Sequence, residues 1–112
     1  MRAEELKGHL DALLLAALEA GPRHGYAVIE ALRQSTSGRL DLPSGTIYPA
    51  LRRLEQAGLI RGSLSVVGGR RRREYRLTAA GHRALSGKRA DWRDFAATVS
   101  AALEGTPWPN PA

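Results

Sequence analysis

The sequence predicts a mainly α-helical chain with one small β-hairpin, and three observations predict it. Apolar residues recur at helical spacing through most of the 112 residues. One stretch, 59–77, breaks that period and alternates around Gly68-Gly69, as the two arms of a hairpin do. A second long helical pattern follows and stops only before a tail that holds Pro107, Pro109 and Pro111. At this length the chain is one small unit with a real core, and a partner subunit would help to stabilise it.

The first helix is expected over residues 4–20, with Leu6, Leu10, Leu13, Leu14, Ala17 and Leu18 on one broad face and Gly21-Pro22 as its stop. Leu14, Leu15, Ala16, Ala17 and Leu18 leave almost no polar side, so its second half should be buried nearly all round. The second helix, roughly 25–36, opens on His24-Gly25-Tyr26 and carries Tyr26, Ile29, Leu32 and Arg33 at i, i+3, i+4 spacings. Ser35-Thr36-Ser37-Gly38 ends it, and Arg39 to Pro43 forms a turn.

The third helix is the one that the others serve. Pro43, Ser44 and Gly45 are helix-entry residues, and Ser44 or Thr46 could act as the N-cap. Ile47, Ala50, Leu51 and Leu54 make an apolar face for a core. The opposite face offers Thr46, Tyr48, Arg52 and Arg53, hydroxyls and guanidiniums of the kind that meet phosphates and base edges. An ordinary amphipathic helix would show the same periodicity, so the chemistry of the polar face carries the reading. Pro49 must lie near the start of this helix, since deeper inside it would remove a hydrogen bond and crowd the preceding turn. Gly58 is a left-handed stop. Helix, short turn, helix is the arrangement in which the first helix braces the second in the DNA major groove.

Leu64, Val66 and the run Arg73-Glu74-Tyr75-Arg76-Leu77 alternate as strands do. The tip and the returning strand hold Arg70, Arg71, Arg72, Arg73 and Arg76, with Glu74 as the only acid. Guanidiniums crowded on so short a hairpin repel one another, and a polyanion relieves that repulsion. A basic hairpin placed directly after a helix-turn-helix is a wing, able to lie on phosphates or to dip an arginine into the minor groove. The last helix starts at Thr78-Ala79-Ala80-Gly81 and extends to about Leu103. Leu85, Trp92, Phe95, Ala96, Val99 and Leu103 form a seam along it, with 85, 92 and 99 seven apart. The seam suits a second subunit; packing back on the first helix is the alternative. The resulting division is a winged helix-turn-helix DNA-binding unit over 1–80, a C-terminal dimerisation helix over 81–104 and a flexible tail over 105–112, although Trp108 is a surprising residue to leave exposed.

Composition points the same way. Lys and Arg number 17 against 11 Asp and Glu, a net charge of +6, and the isoelectric point is near 10.7. All the cations but Lys7 and Lys88 are arginines. Such a balance favours a polyanion, nucleic acid or an anionic membrane surface. A membrane surface would call for a basic amphipathic helix, whereas the cluster here sits on a hairpin. There is no cysteine, which excludes disulfides and thiolate metal sites. No stretch approaches about 18 uninterrupted apolar residues, and Glu4 and Glu5 stand where a signal peptide would be basic, so a cytoplasmic protein is expected. An enzyme would have to draw on His9, His24 and His82, which are scattered, with no two at i, i+4 and no Gly-rich phosphate loop nearby. No catalytic residue, metal or cofactor is therefore expected; His24 fits a role in fixing the turn before the second helix, and His9 and His82 fit the surface.

Taken together, Leu14-Leu15 with Leu18, His24-Gly25-Tyr26, Ser44 through Glu55, Ala57-Gly58-Leu59-Ile60, and Tyr75-Arg76-Leu77-Thr78-Ala79-Ala80-Gly81 form a specific pattern. From about Leu10 to Trp92 the chain resembles the PadR-like winged-helix transcriptional regulators, in the shorter form with a single C-terminal dimerising helix. The resemblance implies a homodimer on a palindromic promoter site, and usually repression that a small molecule releases. It implies that Tyr26, Ser44, Thr46, Tyr48 and Arg52 lie near double-stranded DNA and that Arg70 to Arg73 belong to the wing. In some relatives a tryptophan on the last helix lines a flat hydrophobic pocket at the dimer interface, and Trp92 is the matching position, which implies a small hydrophobic or aromatic effector. The chain departs from the family at the wing tip, where Gly69-Arg70-Arg71-Arg72 lacks the proline often found there. A looser, more highly charged wing should bind backbone strongly and discriminate less. The competing reading is a winged helix used as a protein-interaction module, which would not need a charged wing.

Overall fold

The structure, a computed structural model, describes Leu6 and residues 8–105. It runs α1 (Leu10–Ala17), β1 (Arg23–His24), α2 (Gly25–Ser35), α3 (Ser44–Gln56), β2 (Ile60–Val67), β3 (Arg70–Leu77) and α4 (Ala79–Glu104). The strands form one antiparallel sheet in the order β1-β3-β2. This is a winged helix-turn-helix with a long C-terminal helix.

The first helix is shorter than its apolar pattern. Gly8 sits at φ +88°, a left-handed backbone that interrupts a helix before Leu10. At the other end the Leu18 and Glu19 N–H groups bond three residues back, to Leu15 and Ala16, and the Arg23 Nε donates to the Ala17 carbonyl at 2.8 Å. Leu14, Leu15 and Leu18 are buried as their neighbours demand. In α2 the buried stripe is Gly25, Val28 and Leu32: Leu32 is buried as expected, Ile29 packs at the margin, and Tyr26 and Arg33 face out, their places taken by Gly25 and Val28.

The cap of α3 also differs from expectation. Pro43, extended at φ −71° and ψ 150°, is the N-cap, and its carbonyl accepts from Thr46 and Ile47. Ser44 and Thr46 therefore lie inside the helix, and neither caps it. Pro49 is past the first turn, where it removes the donor that would reach the Gly45 carbonyl. The apolar face is as the spacing predicts: Ile47, Ala50, Leu51 and Leu54 are all buried. At the far end Gly58 is left-handed at φ +77°, with Leu59 N–H donating to Leu54 and Gly58 N–H to Glu55, a complete Schellman stop. The core joins this face to Leu14, Leu15, Leu18, Val28, Leu32, Leu40, Leu42, Ile60, Tyr75 and Leu85.

The hairpin turns on Gly68 and Gly69, both at positive φ (59° and 77°), which is the backbone a two-residue loop requires. Strand β1 carries no signal in the sequence, because a two-residue strand has no period; it pairs Arg23 with Tyr75 and His24 with Glu74.

Helix α4 is fastened at its start. The Thr78 hydroxyl accepts from the Gly81 N–H at 3.0 Å and donates to the Gly58 carbonyl at 2.7 Å, while the Thr78 N–H donates to Leu59. A Cβ on Gly81 would lie 2.0 Å from the Leu59 carbonyl oxygen, so only glycine admits this approach. Gly81→Ala is expected to destabilise the fold by about 1–3 kcal/mol, the range for overpacking a rigid contact; chemical denaturation checks it. The near half of α4 docks on the body through Leu85, which is buried in the core, and through Arg89, whose two Nη atoms donate to both Glu19 carboxylate oxygens at 2.8 and 2.7 Å. Past Trp92 and Phe95, whose rings meet His9, the rest of the helix extends away from the core. The radius of gyration, 17.1 Å, exceeds the value of about 13 Å for a compact chain of this length, because α4 is about 39 Å long and leaves the body behind.

Candidate nucleic-acid interface

The N-terminus of α2, the first turns of α3 and the wing meet at one cleft of about 330 Å³, lined by His24, Gly25, Tyr26, Tyr48, Arg71, Arg72 and Arg73. His24 is the N-cap of α2: its Nδ1 accepts from the Ala27 N–H at 3.3 Å. Arg72 Nη1 stands 3.1 Å from His24 Nε2. The guanidinium is thus held at the start of a helix, where the backbone dipole already favours an anion. Among the described residues no carboxylate lines the cleft.

Tyr48 enters the cleft because residue 25 is glycine. A Cβ there would lie 2.4 Å from Tyr48 Cε1 and 3.0 Å from its hydroxyl. The ring therefore rests on the first turn of α2. Tyr26 is 65% exposed and Tyr48 43% exposed, although both are aromatic. Ser44 and Arg52 are exposed and Thr46 half-buried on the same helix. Arg53 is turned elsewhere, its Nη2 paired with the Asp11 carboxylate of α1.

The wing arginines divide into two groups. Arg70 and Arg71 are exposed and form no ion pair among the described residues; Arg72 meets His24. Arg73 Nη2 instead donates to Glu55 Oε2 at 2.8 Å, and the same oxygen accepts from the Gly62 N–H at 2.8 Å. The Gly62 N–H first, then Arg73, hold the Glu55 carboxyl below its usual range, and Glu55 raises Arg73. Tyr75, across the ladder from Gly62, is buried in the core, and that burial pushes its hydroxyl up. The Glu55 pairing is complete at neutral pH and disappears as the pH falls through the lowered carboxyl value. Glu55 and Gly62 carry no sequence signal for this role, since a glutamate near a helix end and a glycine in a strand are each unremarkable alone.

On α4, Trp92, Phe95, Val99 and Leu103 are exposed, Ala96 is half-buried and Leu85 belongs to the chain's own core. His9, expected at the surface, is half-buried: its ring meets Trp92 edge-on at 5.3 Å and Phe95 at 6.2 Å. His82 is exposed. The expectations for Trp108 and for the tail beyond Gly105 lie outside the described residues. Among the described residues no group of His, Asp or Glu could hold a metal, and no helix is long and apolar enough to cross a membrane.

Residues 14–87 match the family described as "Transcriptional regulator PadR-like family", from mid-α1 to the first turns of α4. The chain is 40% identical over 77 residues to a transcriptional regulator of Mycobacterium tuberculosis, a match covering 69% of this chain and 59% of that one. Among solved structures it is similar to a PadR family transcriptional regulator from Eggerthella lenta, at 32% identity and a TM-score of 0.79, covering 92% of this chain and 88% of the other. A transcriptional regulator from Clostridium thermocellum shares the fold, with a TM-score of 0.84, 24% identity, and 91% and 100% of the two chains covered.

Proposed function

The chain belongs to the PadR-like family of transcriptional regulators, and from that premise we propose that it binds double-stranded DNA sequence-specifically, as a homodimer on an inverted repeat, and represses a nearby promoter in the cytoplasm. The observation that carries this reading is the cleft in which Tyr26, Tyr48, Arg71 and Arg72 present donors beside His24 and, among the described residues, no carboxylate lines the wall. A backbone phosphate is the anion of the right charge and size for it. On this reading Ser44 and Thr46 approach the groove from the start of α3, Arg52 follows one turn later, Arg70 reaches out from the wing tip, Arg53 contributes charge from within its ion pair, and Arg73 belongs to the wing through its pairing with Glu55. Residues 1–80 are the reading unit, 81–104 the dimerisation helix and 105–112 a tail. Trp92, Phe95, Ala96, Val99 and Leu103 face the second subunit, while Leu85 anchors α4 to its own body. The two α3 helices then enter successive major grooves about 34 Å apart. A small hydrophobic or aromatic effector seated beside Trp92 would release the DNA only so far as it prefers the other crossing of the subunits.

The test is a titration of the purified protein against its own upstream DNA and against an unrelated fragment of equal length, at several salt concentrations. The proposal expects tight binding to the upstream fragment that survives competitor DNA. Failure to bind either at low salt would bring forward the rival reading, a winged-helix interaction module. A finer check concerns Gly25. The Tyr48 ring is the flexible end of an exposed side chain, so in Gly25→Ala it swings aside and the fold keeps its stability to within about 0.5 kcal/mol. Affinity for DNA is expected to fall as far as in Tyr48→Ala, and the double variant to be no worse than either single one.

A further inference from the structure

We propose that Glu55 is a positioning residue that sets the angle between α3 and the wing, and that Arg73 serves this strut rather than a DNA phosphate. The inference rests on the DNA-binding reading for its consequence, but its geometry stands on the free protein.

Glu55 lies on the last turn of α3, before the Schellman stop that leads into β2. Strand β2 is an edge of the sheet, so alternate N–H groups point away from β3 and need another acceptor. Glu55 Oε2 takes the one at Gly62. The same oxygen takes Arg73 from β3, so a single atom of α3 grips both arms of the hairpin, each at 2.8 Å. A Cβ on Gly62 would lie 2.7 Å from Arg73 Nε and 2.8 Å from Glu55 Oε2, so residue 62 leaves just enough room for the grip. The lowered carboxyl of Glu55 and the raised guanidinium of Arg73 agree with this pairing.

An exposed ion pair contributes little to stability, about 0–1 kcal/mol. What this one fixes is direction. Beyond this grip the wing reaches the body through Arg72, 3.1 Å from His24 of β1, while Leu64, Val66 and Val67 on β2 are exposed. The turn Gly68-Gly69 is flexible in itself, and the tip lacks the proline that would stiffen it. The grip at Glu55 is therefore the outermost polar link between α3 and the hairpin among the described residues, and the tip arginines point where it directs them.

The experiment compares Glu55→Ala, Glu55→Gln, Gly62→Ala, Arg73→Ala and Arg71→Ala in the full chain. Amide hydrogen exchange of the free protein reads the strut. Glu55→Ala should speed exchange at Gly62 at least tenfold, Gly62→Ala should loosen the flanking wing amides while leaving both charges in place, and Glu55→Gln, which keeps the acceptor, should fall between wild type and Glu55→Ala. Salt-dependent binding to DNA reads the consequence. Arg71→Ala should make the slope of log affinity against log salt shallower by about 1. Arg73→Ala and Glu55→Ala should weaken binding several-fold with that slope unchanged. Wild-type exchange at Gly62 in Glu55→Ala would overturn the proposal, as would an Arg73→Ala slope as shallow as that of Arg71→Ala. If wild type binds no DNA at all, the DNA reading fails, and exchange at Gly62 still decides whether the strut exists.

Discussion

Phe95→Asp combined with Val99→Asp is expected to yield a folded monomer that binds operator DNA about 10²–10⁴-fold more weakly than wild type, the range by which linking two binding units raises avidity. Both side chains lie on the half of α4 past the core, with only Phe95 reaching the rim of the body at His9, and neither belongs to the core cluster that holds α1, α2, α3 and the sheet together. Phe95 is 54% exposed and Leu103, two turns on, is 76% exposed, beside Trp92 and Val99 on the same helix. Four large apolar groups in a row, covered on their own chain only in part by the His9 ring, make a surface that water covers poorly and a second copy covers well. Two aspartates there place charges where the partner's apolar residues would pack. Sedimentation velocity reads the assembly and circular dichroism the fold. A variant that stays dimeric and keeps its affinity would remove the dimerisation role from this seam.

Arg71→Ala with Arg72→Ala is expected to lower affinity for every DNA sequence alike and to reduce the salt slope by about 2, one for each phosphate no longer neutralised. At low salt affinity should drop about 10²–10⁴-fold, since each charge-assisted hydrogen bond of this kind contributes about 1.5–3 kcal/mol. The reason lies in the cleft. Arg72 is drawn toward His24 and the start of α2, Arg71 is exposed beside it, and among the described residues no carboxylate lines the space between them. Phosphate contacts position the protein without reading sequence, so the preference for operator over unrelated DNA should survive. Loss of preference with an unchanged salt slope would contradict a backbone role for these two arginines.

Much of this arrangement is legible in the sequence, and the exceptions have physical causes. The buried face of α3 follows from Ile47, Ala50, Leu51 and Leu54, since a 3.6-residue period fixes which side chains share a face. The hairpin turn follows from Gly68-Gly69, because few other pairs accept two positive φ values in succession. The length of α1 does not follow from its pattern: leucines continue on both sides of it, and the helix is cut by the backbone of Gly8 and by Arg23, which reaches the Ala17 carbonyl from outside the helix. The cap of α3 misleads for a related reason. Ser44 has the chemistry of a cap, but Pro43 has the fixed extended backbone, and its carbonyl takes the first bonds. Tyr26 and Tyr48 are named from the sequence, yet what brings them together is the missing side chain at Gly25, a steric fact that no periodicity reports. The pairing of Glu55 with both Gly62 and Arg73 spans three elements and appears only when they are folded.

The most direct test of the central claim is selection of binding sites from random double-stranded DNA by the purified full-length chain, followed by sequencing of the enriched pool. A homodimer that sets two α3 helices into successive major grooves should enrich an inverted repeat whose half-site centres lie about 10–10.5 base pairs apart. An enriched pool without two-fold symmetry would contradict the dimeric docking, and no enrichment at all would contradict sequence-specific recognition by this face of the protein.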